Sequence, residues 1–189
     1  MSTRGAIAVP ATSGKGWWGR YHHYDAHPLG LGRELFHLYH DTFGRDHEAM
    51  AKVLVKDHPA GWSTVVRPYT PQVFERADFE QAGFRDLNDP DFDLYPLCYC
   101  HGRREETEQI LTCRCPSDPE GCAPVFIEWA YTITKAGMFV ATSWHPDPGA
   151  GQAFVHRPVA FVDWDRTTEP DWREAQQRAR LIDVPDLTL

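Results

Sequence analysis

Between Tyr21 and His27 the chain reads Tyr21-His22-His23-Tyr24-Asp25-Ala26-His27, placing three imidazoles and a carboxylate close together. In an extended segment Tyr21, His23 and Asp25 share one face, because strand side chains alternate. A carboxylate beside an imidazole orients the ring and favours its charged form, as general acid–base chemistry requires. His23 and Asp25 are therefore the candidate catalytic pair. A simple hairpin register brings Arg4 close to them. Next, Pro28-Leu29-Gly30-Leu31-Gly32 leads into a helix. Helix starts present free backbone N–H groups that attract anions, and glycines let a ligand approach the backbone. Arg4, Tyr21, His27, Gly30 and Gly32 are thus candidate binding residues for a small anionic ligand. The same residues also suit plain structural use, with His and Asp capping the next helix and Tyr and His satisfying each other.

The second chemical concentration is made of cysteines. Cys98-Tyr99-Cys100-His101 and Cys113-Arg114-Cys115 are two C-x-C pairs, with Cys122 beyond them. The expectation is a hairpin with Cys98 opposite Cys115, so that all four sulfurs share a face. Clustered thiolates point to zinc, with Cys98, Cys100, Cys113 and Cys115 as ligands and His101 or Cys122 as replacements. A C-x-C strand holds its sulfurs about 7 Å apart, so tetrahedral geometry would need a bulge or a replacement ligand. Buried thiols acting as small hydrophobes, or cross-strand disulfides, are the alternatives.

Other residues carry less chemistry. His37 and His40 share a helix face and read as surface or packing residues, and His47 and His58 form no cluster. The seven tryptophans read as core and rim packing. Ser2 would become an N-terminal nucleophile on loss of Met1, but the strand pattern is marginal for the two-sheet fold that this chemistry uses.

The elements that must position these groups follow from pattern. Gly5–Val9 and the aromatic run 17–25, joined by a glycine-rich turn, read as a hairpin. Leu31, Leu35, Leu38, Tyr39 and Phe43 recur at helical spacing until Gly44. A second helix covers about 46–56, with Met50, Val53 and Leu54 on one side. A short strand at 62–66 and a helix at 71–82 are expected next, then strands at 97–101 and 110–115. Val125, Ile127, Trp129, Tyr131 and Ile133 alternate along the clearest strand, with their face toward helices. Lys135-Ala136-Gly137 turns the chain into a strand at 138–144. One or two strand segments around Pro158 come next. Thr168 with Asp171 reads as a capping box, with Pro170 in the first turn, for a terminal helix to about Leu181. Hairpin, two helices, then several strands is an α+β order. The expected architecture is an antiparallel sheet with two helices from the N-terminal half and a C-terminal helix packed on it. It forms one domain, 1–189, in which the cysteine hairpin at about 96–123 can stand as a sub-lobe. The glycines at 30 and 32 do not make a dinucleotide fingerprint.

Bulk composition narrows the classes. A 189-residue chain that is 42% hydrophobic and 13% aromatic can bury a core without staples. Nineteen Lys+Arg against twenty-seven Asp+Glu give −8, and the pair Arg103–Arg104 is followed at once by Glu105–Glu106. That balance disfavours duplex nucleic acid, which needs a basic stripe. No apolar run approaches a membrane span or a signal-peptide core, so a cytoplasmic location is expected. There, cysteines serve as thiols or metal ligands rather than disulfides.

Ser2-Thr3-Arg4-Gly5-Ala6-Ile7, followed by Tyr21-x-His23-x-Asp25-x-x-Pro28-x-Gly30-x-Gly32, resembles a group of small phage and actinobacterial proteins of unknown function. These proteins begin with a similar Ser-Thr-Arg segment and continue into a Tyr-x-His-x-Asp-x-Tyr-Pro-like stretch and a helix. The strand 128–133, its Gly137 turn and Met138-Phe139-Val140 look like a late hairpin of that group. His27 stands where the others tend to have Tyr. The resemblance implies no activity; it draws attention to Arg4, His23 and Asp25. Three functional classes follow. The leading one is a domain binding a small anionic ligand or a protein partner, with zinc able to stabilise it. The second is a hydrolase or transferase using His23 and Asp25. The third is a phage-type accessory protein that masks a host protein.

Overall fold

The computed structural model describes residues 3–12, 16–65, 97–98, 110–113, 127–144 and 155–179. The strands are β1 (Gly5–Pro10), β2 (Trp17–His22), β3 (Trp62–Thr64), β4 (Leu97–Cys98), β5 (Ile110–Cys113), β6 (Trp129–Ile133), β7 (Gly137–Trp144) and β8 (Val155–Asp163). They lie in one sheet in the order β4-β3-β2-β1-β6-β7-β8, with β5 also on β2. Helix α1 is a continuous run of Pro28–Gly32, Arg33–His37 and Leu38–Thr42. Helix α2 joins His47–Ala51 to Lys52–Lys56, and α3 is Trp172–Arg178. The wide turns of α1 and α2 close with bonds spanning five residues, such as Phe43 N–H to the Leu38 carbonyl at 2.8 Å and Asp57 N–H to Lys52 at 2.9 Å.

The class is α+β, but the sheet is mixed rather than antiparallel. β1 pairs with β6 in parallel, Gly5 beside Trp129 and Ala8 beside Thr132, and β3 joins β2 in parallel at His22 and Trp62. The two hairpins, β1–β2 and β6–β7, are the local antiparallel units that short turns produce. Their junction is a long-range contact between two apolar strands. It makes β6 central, so all five of its residues are buried.

The helices lie on one face. Trp129, Tyr131, Ile133, Met138, Val140 and Val162 form a core with Leu31, Leu35 and Leu38 of α1, Met50 and Leu54 of α2, and Trp172 of α3. The apolar alternation of β6 thus points to the helices. Ile127, which precedes β6, belongs instead to a second buried cluster with Ala6, Ala8, Trp17, Tyr21, Ala130 and Ala141. That opposite face is floored by small side chains.

Local signals explain the helix ends. The Asp46 carboxylate accepts from Glu48 N–H at 2.9 Å and Ala49 N–H at 3.0 Å, starting α2. In α3 the cap is Asp171, bonded to Arg173 and Glu174 N–H, rather than Thr168. A carboxylate directly before the first turn reaches those two donors, so the helix begins after Pro170 and not before it. Val155–Asp163 is one strand with a bulge: Val140 faces Ala160 and Ala141 faces Pro158, leaving Val159 as the extra residue. Pro158 is tolerated because β8 is the edge of the sheet. Among the described residues no helix is long and apolar enough to cross a membrane. The helix expected at 71–82 lies outside the described residues.

Candidate functional site

The end of the sheet where β1 starts and β2 stops gathers the polar residues. The register Gly5–His22 and Gly5–Trp129, continued one step, sets Arg4 between His23 and Glu128. The Arg4 carbonyl accepts from Glu128 N–H at 2.9 Å, and its own N–H lies 3.4 Å from Glu128 Oε1. Ser143 N–H extends the row by donating to the Glu128 carbonyl at 2.8 Å. His23 and Tyr24 continue toward β3, donating from their backbones to Trp62 and Ser63, each at 3.1 Å. Arg4, Glu128 and Tyr24 are exposed, and His23 is half-buried.

His23 is held by Tyr21. The Tyr21 hydroxyl and His23 Nδ1 are 2.6 Å apart, and the Tyr24 ring stands edge-on to the imidazole at 4.3 Å. A hydroxyl on Nδ1 fixes the ring orientation. Tyr21 itself is anchored among Ala6, Ala8 and Ala130, so the dyad has a rigid base.

Asp25 departs from the expected face. β2 ends at His22, and Asp25 sits in a left-handed turn with φ 49°, its side chain exposed. The strand alternation therefore breaks before it reaches Asp25, and the structure pairs His23 with Tyr21 instead. Asn and Asp tolerate this conformation better than most residues. The turn is held from below by Tyr131, whose buried hydroxyl donates to the Ala26 carbonyl at 2.7 Å. Burial raises the Tyr131 phenol well above its ordinary range.

The helix start is largely occupied by the chain itself. His27 Nδ1 accepts from Gly30 N–H at 3.1 Å, and the Asp25 carbonyl accepts from Leu31 N–H at 2.9 Å. The expected free N–H groups at these positions are thus used in capping. The two glycines permit close packing: a Cβ at Gly30 would lie 2.2 Å from the Asp25 oxygen, and one at Gly32 would crowd the Tyr131 and Trp172 rings. Arg4, Tyr21 and His23 are the sequence-predicted residues that this end of the sheet brings together.

Two side chains beside them were not singled out by spacing. Glu128 is the one carboxylate in an otherwise apolar alternation, which is the signal that could have found it. His22, beside His23 in sequence, points to the helix side and is fully buried. Its Nε2 accepts from Val65 N–H at 3.2 Å, so its proton sits on Nδ1. Burial, with the neighbouring His23, lowers its pKa to about 3.

The cysteine hairpin is corrected by the topology. β4 runs antiparallel to β3, β3 is parallel to β2, and β5 is antiparallel to β2. β4 and β5 therefore point the same way and are not hairpin partners. Cys98 stands opposite Trp62, which is level with His22, whereas Cys113 stands opposite Trp17. Those anchor points are separated by roughly 17 Å along β2 at about 3.3 Å per residue. Two sulfurs on one zinc lie within about 4 Å of each other, given Zn–S bonds of about 2.3 Å. Cys98 and Cys113 cannot share a metal in this pairing. Cys98 is a buried thiol in the helix-side core. Cys100 and Cys115, with Cys122 and His101, lie outside the described residues. Among the described residues no three His, Cys, Asp or Glu side chains converge as metal ligands.

No family model, curated protein or solved structure matches the chain. The class that fold and site define is an α+β domain with a polar row across one end of a mixed sheet.

Proposed function

We propose that this protein binds a small anionic ligand at the end of the sheet formed by Arg4, Tyr21 and His23. The observation that carries the reading is the 2.6 Å Tyr21–His23 contact beside an exposed arginine in the adjoining register position. Arg4 supplies a permanent positive charge. His23, held at Nδ1 by the tyrosine, sets an oriented imidazole beside that charge. Glu128 on the far side of Arg4 disfavours a second negative charge on the ligand. The fitting chemistry is a monoanion that also bears a hydrogen-bond donor, such as a hydroxy acid or an amino acid. The orienting partner of the imidazole in this reading is Tyr21, and Asp25 shapes the turn beside it.

A thermal-shift panel of monocarboxylates, hydroxy acids, amino acids and phosphates, followed by calorimetric titration, tests the proposal. A stabilising ligand should lose about tenfold or more in affinity on Arg4→Ala and on His23→Ala. If every stabilising ligand binds both variants as it binds the parent protein, the site is elsewhere and the reading fails.

A further inference from the structure

A concave place lies between β8 and α3. Its volume is about 190 Å³, and its wall includes the consecutive residues Ala160, Phe161 and Val162. Successive strand side chains point to opposite faces. Three in a row can line one cavity only at the edge of a strand, where the backbone itself is the wall. β8 is the terminal strand of the sheet, and among the described residues nothing pairs with its outer side.

The two halves of β8 differ. Around Pro158 the missing N–H and the extra residue Val159 spoil strand addition, the usual protection of an edge. The stretch 160–162 carries neither device, and it is the part that opens into the cavity. The rest of the lining is apolar residues, two arginines and two carboxylates: Pro170, Trp172, Ala175, Arg166, Arg178, Asp171 and Glu174. Trp172 is almost fully buried there, while Phe161 is 44% exposed. Asp171 is occupied in capping α3, and Glu174 is paired with Arg178 at 2.5 Å. Arg166 lines the same cavity and makes no ion pair among the described residues.

We infer that this groove captures the C-terminal end of an extended peptide. The peptide backbone pairs with β8 at 160–162, its last apolar side chain rests on Trp172, and its terminal carboxylate meets Arg166. Strand addition provides main-chain hydrogen bonds, and a paired chain-end carboxylate provides polarity and register. The small volume suits a chain end rather than a long segment.

The test uses the full chain and a random heptapeptide library displayed with free C-termini. Enriched peptides are then synthesised with free and amidated ends and titrated into isotope-labelled protein. Enrichment of an apolar last residue, amide shifts at 160–162, and binding about tenfold weaker on amidation or Arg166→Ala are expected. Arg166 is exposed, so its removal leaves the fold intact. The inference is overturned if no sequence enriches beyond the Arg166→Ala control, or if amidated peptides bind equally. It is also overturned if acetate alone moves Arg166 while peptides leave 160–162 unshifted.

Discussion

The rings of Trp17 and His156 meet edge to face with centroids 5.4 Å apart, although β1, β6 and β7 lie between the strands that carry them. Four inter-strand steps of about 4.8 Å would separate them by roughly 19 Å in a flat sheet. The sheet is therefore strongly coiled, and two of its corners close over the small-residue face. Ala6, Ala8, Ala130 and Ala141 are the floor beneath that closure, where larger side chains would hold the corners apart. A Trp17→Ala, His156→Ala double-mutant cycle in urea should give a coupling of about 0.5–1.5 kcal/mol. Strict additivity would mean that the corners do not support each other.

The buried histidines set an acid limit. His156 donates from Nε2 to the Ile127 carbonyl at 3.0 Å, and burial lowers its pKa to about 4. For His22 the value is about 3. Both lie below the unfolded value of about 6.5, so the unfolded chain takes up protons first. The stabilisation is complete above pH 6.5 and is lost as pH falls toward 4 and 3. Each histidine should contribute a slope approaching about 1.4 kcal/mol per pH unit below pH 6. Denaturation midpoints at pH 7, 6 and 5 check this. His156→Gln, which retains a donor for Ile127, should flatten the profile, and an unchanged slope would show that His156 is not buried neutral.

Arg20 joins the sheet to the end of α2. It is only 5% exposed, its Nε donates to the Val55 carbonyl at 2.7 Å, and its guanidinium lies 5.6 Å from the Trp18 ring centroid. Arg20→Met keeps the stem but strands a buried carbonyl, so a loss of about 2–3 kcal/mol is expected. Arg20→Lys should recover only part of it, because the planar fork is lost. Full recovery by lysine would reduce the interaction to charge alone.

What the sequence exposes is local. Glycine turns delimit β1–β2 and β6–β7, and the Leu31, Leu35, Leu38 spacing marks α1, because periodicity and turn chemistry act over short spans. The parallel contact of β1 with β6 joins residues more than a hundred positions apart, and no local pattern encodes it. The same blindness misplaced Cys98 and Cys113: two neighbouring strands look like a hairpin, yet each is recruited by a different upstream strand. At the site, Arg4, Tyr21 and His23 were legible because an antiparallel register is simple. Asp25 was misassigned to their face because nothing in its type announces that the strand stops at His22.

Cys98 should behave as a core group. It is 7% exposed and packs on the helix side with Trp62. In a variant where it is the sole cysteine, native protein should react with a thiol reagent only as fast as it unfolds, and fully in denaturant. Cys98→Ala should leave the zinc content of the purified protein unchanged, whatever that content is. A drop in bound zinc on this substitution would restore Cys98 as a ligand and discredit the strand pairing.

Tyr131 separates scaffold from site. Its hydroxyl reaches from the centre of the sheet to the Ala26 carbonyl, pinning the turn that carries Asp25 and His27. Tyr131→Phe removes only that oxygen and leaves a buried carbonyl unpaired, which should cost about 1–3 kcal/mol. Because α1 begins at this turn, its first amides, Gly30 and Leu31, should lose protection in hydrogen exchange. Tyr21→Phe removes the contact to His23 instead. It should weaken the proposed anion binding while moving the denaturation midpoint less than Tyr131→Phe does. If Tyr21→Phe costs as much stability as Tyr131→Phe and leaves binding untouched, the Tyr21–His23 pair is scaffold as well, and the ligand reading loses its main support.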